Sequence, residues 1–131
     1  MRFLAAAAVA MALGATAFMF LRPQSPEMIV RPNAAEARVQ YVAGAVFVNV
    51  RTDEEWEAGH LQTAMHLPVK EVASRAATML PDKDAHLITY CASGIRAEKA
   101  AVTLRALGYA HAVAMTGGFE DLKAAHYPLS R

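Results

Sequence analysis

Several common chemistries are closed to this chain of 131 residues by what it lacks. It has one cysteine, which excludes an intramolecular disulfide and any zinc cluster built on several cysteines. Its 13 Lys and Arg face 12 Asp and Glu, a net charge of +1, so there is no basic field for nucleic acid and no acidic tail. Charged residues make up only 19% of the chain and hydrophobic ones 55%, far from the composition of disordered proteins. The length leaves room for one globular domain. No internal repeat appears, and the only biased tract is an alanine-rich front.

That front holds the excess of apolar residues. Phe3 to Leu21 carries no charge and lies between Arg2 and Arg22-Pro23. As a signal peptide, Arg2 is the n-region, Phe3 to Leu13 the h-region, Gly14 a helix breaker and Ala15-Thr16-Ala17 an A-x-A cleavage site. As an uncleaved anchor, residues 3–21 are barely long enough and rich in weakly partitioning alanine. Either way residues 1–22 are expected to export the rest, to a bacterial periplasm or to an inner membrane facing it. Positive charge on both flanks leaves the orientation open. Removing Arg2 and Arg22 with this segment turns the net charge of +1 into −1.

Residues 23–32 contain Pro23, Pro26 and Pro32 and are expected to form a linker, because each proline fixes its own backbone and disfavours helix before it. The domain is expected over 33–131. Asn33 with Glu36 has capping-box spacing and predicts a short helix that stops at Gly44. Ala45 to Val50 is β-branched and nearly all apolar, the pattern of a strand covered on both faces. A second capping box, Thr52 with Glu55, opens a helix ending near Gly59. Strands are predicted at Ala64 to Leu67, His86 to Tyr90 and Ala110 to Met115. Helices are predicted at Val69 to Leu80, Ile95 to Leu107 and Gly117 to Ala125. This alternation predicts an α/β fold, a central parallel sheet of about four to five strands with helices on both faces and the ligand site at the C-terminal strand ends.

Cys91 directly follows the third strand, and Ala92-Ser93-Gly94-Ile95-Arg96 leads into the next helix. A glycine-containing strand-loop-helix turn can aim several backbone N–H groups at one point, and the helix N-terminus adds partial positive charge. A cysteine in that cradle is expected to favour the nucleophilic thiolate. Arg96 offers a planar fork of donors suited to holding an anionic substrate nearby. A lone cysteine after an apolar strand is otherwise a small buried hydrophobe, and a lone arginine on a helix a solvated ion-pair partner. Ser93, Gly94 and Arg96 together favour the chemical reading.

At these residues the sequence resembles the single-domain rhodanese family of sulfurtransferases. One matching segment runs from Val48-Asn49-Val50-Arg51 through Glu55-Trp56 and Gly59-His60-Leu61 to Ala64 through Pro68. The other comprises Cys91 to Arg96, Gly108-Tyr109, Gly117-Gly118-Phe119 and Tyr127-Pro128. The resemblance implies an α/β domain and a double displacement. Cys91 attacks the outer sulfur of a donor such as thiosulfate, releases sulfite and holds a persulfide, which a thiol or cyanide acceptor then discharges. The amides of Ala92, Ser93, Gly94 and Ile95 would hold the thiolate, the persulfide and the departing oxyanion. No cofactor is implied. Asn49 departs from the aspartate usual in the family, and removes a carboxylate partner for an active-site arginine. Four residues separate Cys91 from Arg96, one fewer than in the related phosphatases, which favours sulfur over phosphate chemistry.

Other residues invite a functional role and are assigned a structural one. His60 is expected to be packed and hydrogen-bonded rather than a general base. His66, His86, His111 and His126 lack metal-ligand spacing with carboxylates. Arg51 and Glu55 are expected to pair or cap the loop, Trp56 to lie in the core and Gly117-Gly118 to form a tight turn. Two other functions use the same residues: a persulfide carrier or sensor, and a noncatalytic interaction module, against which the presence of both Cys91 and Arg96 counts.

Overall fold

The computed structural model describes residues 30–131. The apolar run at 3–21 and the linker up to residue 29 lie outside the described residues. No helix among the described residues is long and apolar enough to cross a membrane.

In chain order the elements are α1 (Arg38–Val42), β1 (Val46–Asn49), α2 (Asp53–Ala58), β2 (His60–Leu61) and β3 (Met65–His66). A 3-10 turn (Val69–Glu71) runs into α3 (Val72–Met79). Then come β4 (Leu87–Tyr90), α4 (Ile95–Ala106), β5 (Ala112–Ala114), α5 (Phe119–Ala124) and β6 (Leu129–Ser130). Four strands form one parallel sheet in the order β3-β1-β4-β5.

Side-chain alternation along the strands divides the core in two. Val48, Leu87, Cys91, Ala112 and Ala114 pack with α3 and α4. Phe47, Ile88, Tyr90 and Met115 point the other way, against Tyr41, Leu122 and Tyr127. Burial on both faces explains why β1 and β4 read as apolar runs rather than alternating ones. In α4 the buried residues are Ala97, Ala100, Ala101 and Leu104, one helical stripe whose small side chains let the helix lie close on the sheet.

The expected parallel sheet is present with four strands, and its helices cover both faces. The structure departs from the expected elements in four places. The reciprocal bonds at the first cap form, Asn33 Oδ1 accepting from Glu36 N at 2.8 Å and Glu36 Oε1 from Asn33 N at 3.3 Å, yet regular helix begins only at Arg38. The helix expected from Val69 opens as a 3-10 turn, because Val69 N donates to Val50 O at 3.0 Å and joins the strand end. The antiparallel pair β2-β6 was not predicted, since two-residue strands are too short to show a period. Arg31 and Pro32, within the expected linker, are attached to the body: Arg31 Nη2 donates to Glu98 Oε1 at 2.6 Å and Pro32 O accepts from Thr116 N at 2.9 Å.

Candidate active site

Cys91 is fully buried at the C-terminal end of β4, where the loop to α4 begins. The Gly94 amide donates to its Sγ at 3.0 Å. Gly94 sits at φ +105, a backbone conformation that favours glycine, and from there the chain enters the 12-residue helix α4. A donor aimed at the sulfur and the positive end of a helix together stabilise negative charge on Sγ. Of the loop residues expected around the sulfur, the structure places the Gly94 amide on it. Ala92 and Ser93 are exposed, and Ile95 is 80% exposed at the rim.

A second backbone segment supports the loop from behind. Phe119 N donates to Cys91 O at 2.8 Å, and Gly118 N to Asp121 Oδ2 at 2.7 Å. A side chain on Gly118 would collide with the Ala92 carbonyl. The Gly117-Gly118 turn therefore does more than reverse the chain before α5: it permits this close approach.

The arginine fork is aimed differently from the sequence expectation. Arg96 Nη1 donates to Glu55 Oε1 at 2.7 Å and Nη2 to Glu55 Oε2 at 3.0 Å, so its bidentate partner is a protein carboxylate. Glu55 also completes the expected capping box, accepting from Thr52 N at 3.1 Å while its own amide donates to Thr52 Oγ1 at 3.2 Å. The expected Arg51 pairing is present as well, with Nε 3.6 Å from Glu55 Oε2. Arg96's hydrogen bonds lower the Glu55 carboxyl from the usual 4.5 to about 2, against the opposing effect of burial and with help from Thr52. The Arg96 guanidinium is raised in turn, chiefly by Glu55 and further by Cys91.

Arg51 is nearly buried, with its Nη1 donating to Gly59 O at 2.9 Å and its guanidinium 4.3 Å from the centroid of the Phe119 ring. Asn49, at the end of β1, accepts from Arg51 N at 2.9 Å and donates to the Tyr90 hydroxyl at 2.8 Å. The same hydroxyl accepts from Leu61 N at 3.1 Å, so one buried side chain ties together β1, β4 and β2. Burial raises the Tyr90 phenol above its ordinary 10.0. The carboxylate expected to be missing at position 49 is supplied to both arginines by Glu55.

His60 is packed and hydrogen-bonded, as expected: its Nδ1 donates to Trp56 O at 2.8 Å and its ring stacks on the indole at 3.5 Å. Trp56 is not in the core. It is half-buried and sandwiched between His60 and His66, because α2 lies at the rim of the sheet and turns its indole along the surface. The role of His66, whose Nε2 donates to Arg51 O at 2.9 Å, was not anticipated. Among the described residues no three His, Cys, Asp or Glu side chains are grouped to hold a metal. A shallow cleft beside Arg96 is lined by Val50, Thr52, Pro68 and Val69, whereas the cleft holding Gln40, His86 and His111 lies at the opposite end of the sheet from Cys91.

A parallel α/β sheet with a buried cysteine at a strand end, held by a helix-opening amide beside a charged arginine, defines a class of domains that can hold negative charge on a sulfur. The model of the rhodanese-like domain matches residues 33–125, and the chain belongs to that family. It is 37% identical over 76 residues to the thiosulfate sulfurtransferase PspE of Escherichia coli (strain K12), covering 58% of this chain and 72% of that protein. It is also 38% identical over 78 residues to the tRNA uridine(34) hydroxylase of Erwinia tasmaniensis, but this spans only 22% of that protein. Among solved structures, a rhodanese with anions from E. coli superposes with a TM-score of 0.59 at 33% identity, covering 66% of this chain and 99% of that one.

Proposed function

We propose that this protein is a sulfurtransferase that moves a sulfane sulfur from thiosulfate or a similar donor to a thiol or cyanide acceptor through a persulfide on Cys91. The observation that carries the reading is the Gly94 amide on Cys91 Sγ at the head of α4. The similarity to a thiosulfate sulfurtransferase over most of that protein's length supports it.

In the first half-reaction the Cys91 thiolate attacks the outer sulfur of the donor. The bond to the inner sulfur breaks, its electron pair leaves with sulfite when the donor is thiosulfate, and the outer sulfur stays on Sγ. In the second, the acceptor attacks that sulfur and the Cys91 thiolate is the leaving group. The loop amides from Ala92 to Ile95 carry the negative charge through both steps, with Arg96, held by Glu55, beside them. The domain is taken to be residues 33–131, with Arg31 and Pro32 tied to it at the end of the linker expected at 23–32. Residues 1–22 direct it to the periplasm as a cleaved signal, or hold it at the membrane through residues 3–21.

The test is mass spectrometry of the purified protein after incubation with thiosulfate, beside Cys91→Ser. A gain of one sulfur atom by the wild type alone, followed by thiocyanate formation on adding cyanide, is the expected result. Loading without turnover would identify a carrier. No loading from any sulfane donor would leave the interaction module as the reading.

A further inference from the structure

The bidentate closure of Glu55 on Arg96 bears on which donors the site accepts. Both Nη groups of the arginine that faces Cys91 are engaged by one carboxylate. Arg96 holds the Glu55 carboxyl down to about 2, so the carboxylate is ionised at neutral pH. In the adjoining cleft Arg51 and Arg96 share the single carboxylate of Glu55, and Asp53 and Glu71 add negative charge beside Lys70, Glu71 being itself paired with Arg75 at 3.1 Å. On the other side the rim is the exposed, uncharged Ile95.

A thiolate attacking thiosulfate brings three negative charges together, one from the nucleophile and two from the donor. A singly charged donor brings two. With both Nη groups of Arg96 engaged by Glu55, the site offers the dianion less compensation than a free guanidinium would.

We infer that Glu55 is a specificity-determining residue, which by occupying Arg96 makes this site prefer monoanionic sulfane donors, the thiol persulfides and thiosulfonates, over the thiosulfate dianion. The inference rests on the sulfurtransferase reading above and names its donor class. The chemistry balances without an oxidant or reductant. Cys91 Sγ bonds to the outer sulfur, the bond between that sulfur and the rest of the donor breaks, and the electron pair leaves as a thiolate or a sulfinate.

Methanethiosulfonate is the probe that isolates charge, since it presents the same outer sulfur on a sulfonyl group and replaces one anionic oxygen of thiosulfate with a methyl. Its kcat/KM is compared with that of thiosulfate, cyanide being the common acceptor, in wild type and Glu55→Gln. Glutamine preserves the capping box, so the variant removes charge and leaves the loop's support in place. The wild type is expected to favour methanethiosulfonate. Glu55→Gln is expected to shift the ratio toward thiosulfate by about tenfold, mainly through a lower KM for thiosulfate, as removal of one nearby like charge should do.

A wild type that prefers thiosulfate, or a ratio unchanged by Glu55→Gln, would overturn the inference while leaving the sulfurtransferase reading in place. A merely structural role for Glu55 would lower kcat/KM for both donors alike, which also overturns it. Absence of sulfur on wild-type Cys91 from either donor, read by mass, would remove both the reading and the inference.

Discussion

The backbone of Gly118 lies against the carbonyl of Ala92, so close that a methyl group there would overlap it. Two segments far apart in sequence thereby fix the floor of the cysteine loop, with Phe119 N donating to Cys91 O at 2.8 Å as their link.

Replacing Gly118 with alanine should therefore displace the loop. Overpacking of this kind costs about 1–3 kcal/mol. We expect a lower melting temperature and at least a tenfold loss of sulfur transfer, measured by differential scanning calorimetry and thiocyanate formation. A variant with unaltered activity would show that the loop does not depend on this contact.

Acid stability follows from Glu55. Its carboxyl titrates at about 2 in the folded protein against an ordinary 4.5. A depressed carboxylate contributes stability that is fully present above the unfolded value and is lost as the pH falls through the folded one. Urea midpoints of wild type and Glu55→Gln should differ most above pH 4.5 and converge as the pH approaches 2. A constant difference across that window would contradict the coupling to Arg96.

His60 should tolerate Gln without loss of chemistry. The variant forfeits the stacking on Trp56, about 0.5–1.5 kcal/mol. The melting temperature should fall while kcat stays within roughly twofold, because no proton transfer is assigned to the imidazole. A kcat reduced by orders of magnitude would make His60 part of the reaction.

Asn49→Asp should also be mild, within about a factor of ten in turnover. The two partners of Asn49, Arg51 N and the Tyr90 hydroxyl, can both donate to a carboxylate, and Arg51 itself is next in the chain. Steady-state kinetics with thiosulfate would reveal an effect of several orders, which would give position 49 a direct role.

Tyr90 offers the opposite case. Tyr90→Phe leaves Asn49 Nδ2 and Leu61 N buried without the hydroxyl they share, at about 1–3 kcal/mol each. A clear fall in the chemical-denaturation midpoint is expected, and a stability equal to wild type would mean that these groups find other partners.

Much of this was legible from the chain alone because it obeys local rules. Ala45 to Val50 and His86 to Tyr90 announced buried parallel strands by their unbroken apolar character. The Thr52 and Glu55 pair announced a helix start, since its hydrogen bonds span three residues. Cys91 to Arg96 announced a strand-loop-helix turn by its glycine and its place after a strand. Trp56 was misplaced because size and hydrophobicity favour burial, whereas its position on a rim helix, between two histidines, depends on how that helix meets the sheet.

The sequence by itself determined the α/β order, the position of Cys91 at a strand end and the residues available to serve it, because strand and helix periods, caps and turns act over a few neighbouring residues. Only the tertiary structure decided that Arg96 grips Glu55, 41 residues away, and that Gly118 backs onto Ala92. Those contacts arise when parallel strands and their crossovers bring distant segments to one end of the sheet, and side-chain pairing there depends on distances that no local pattern encodes.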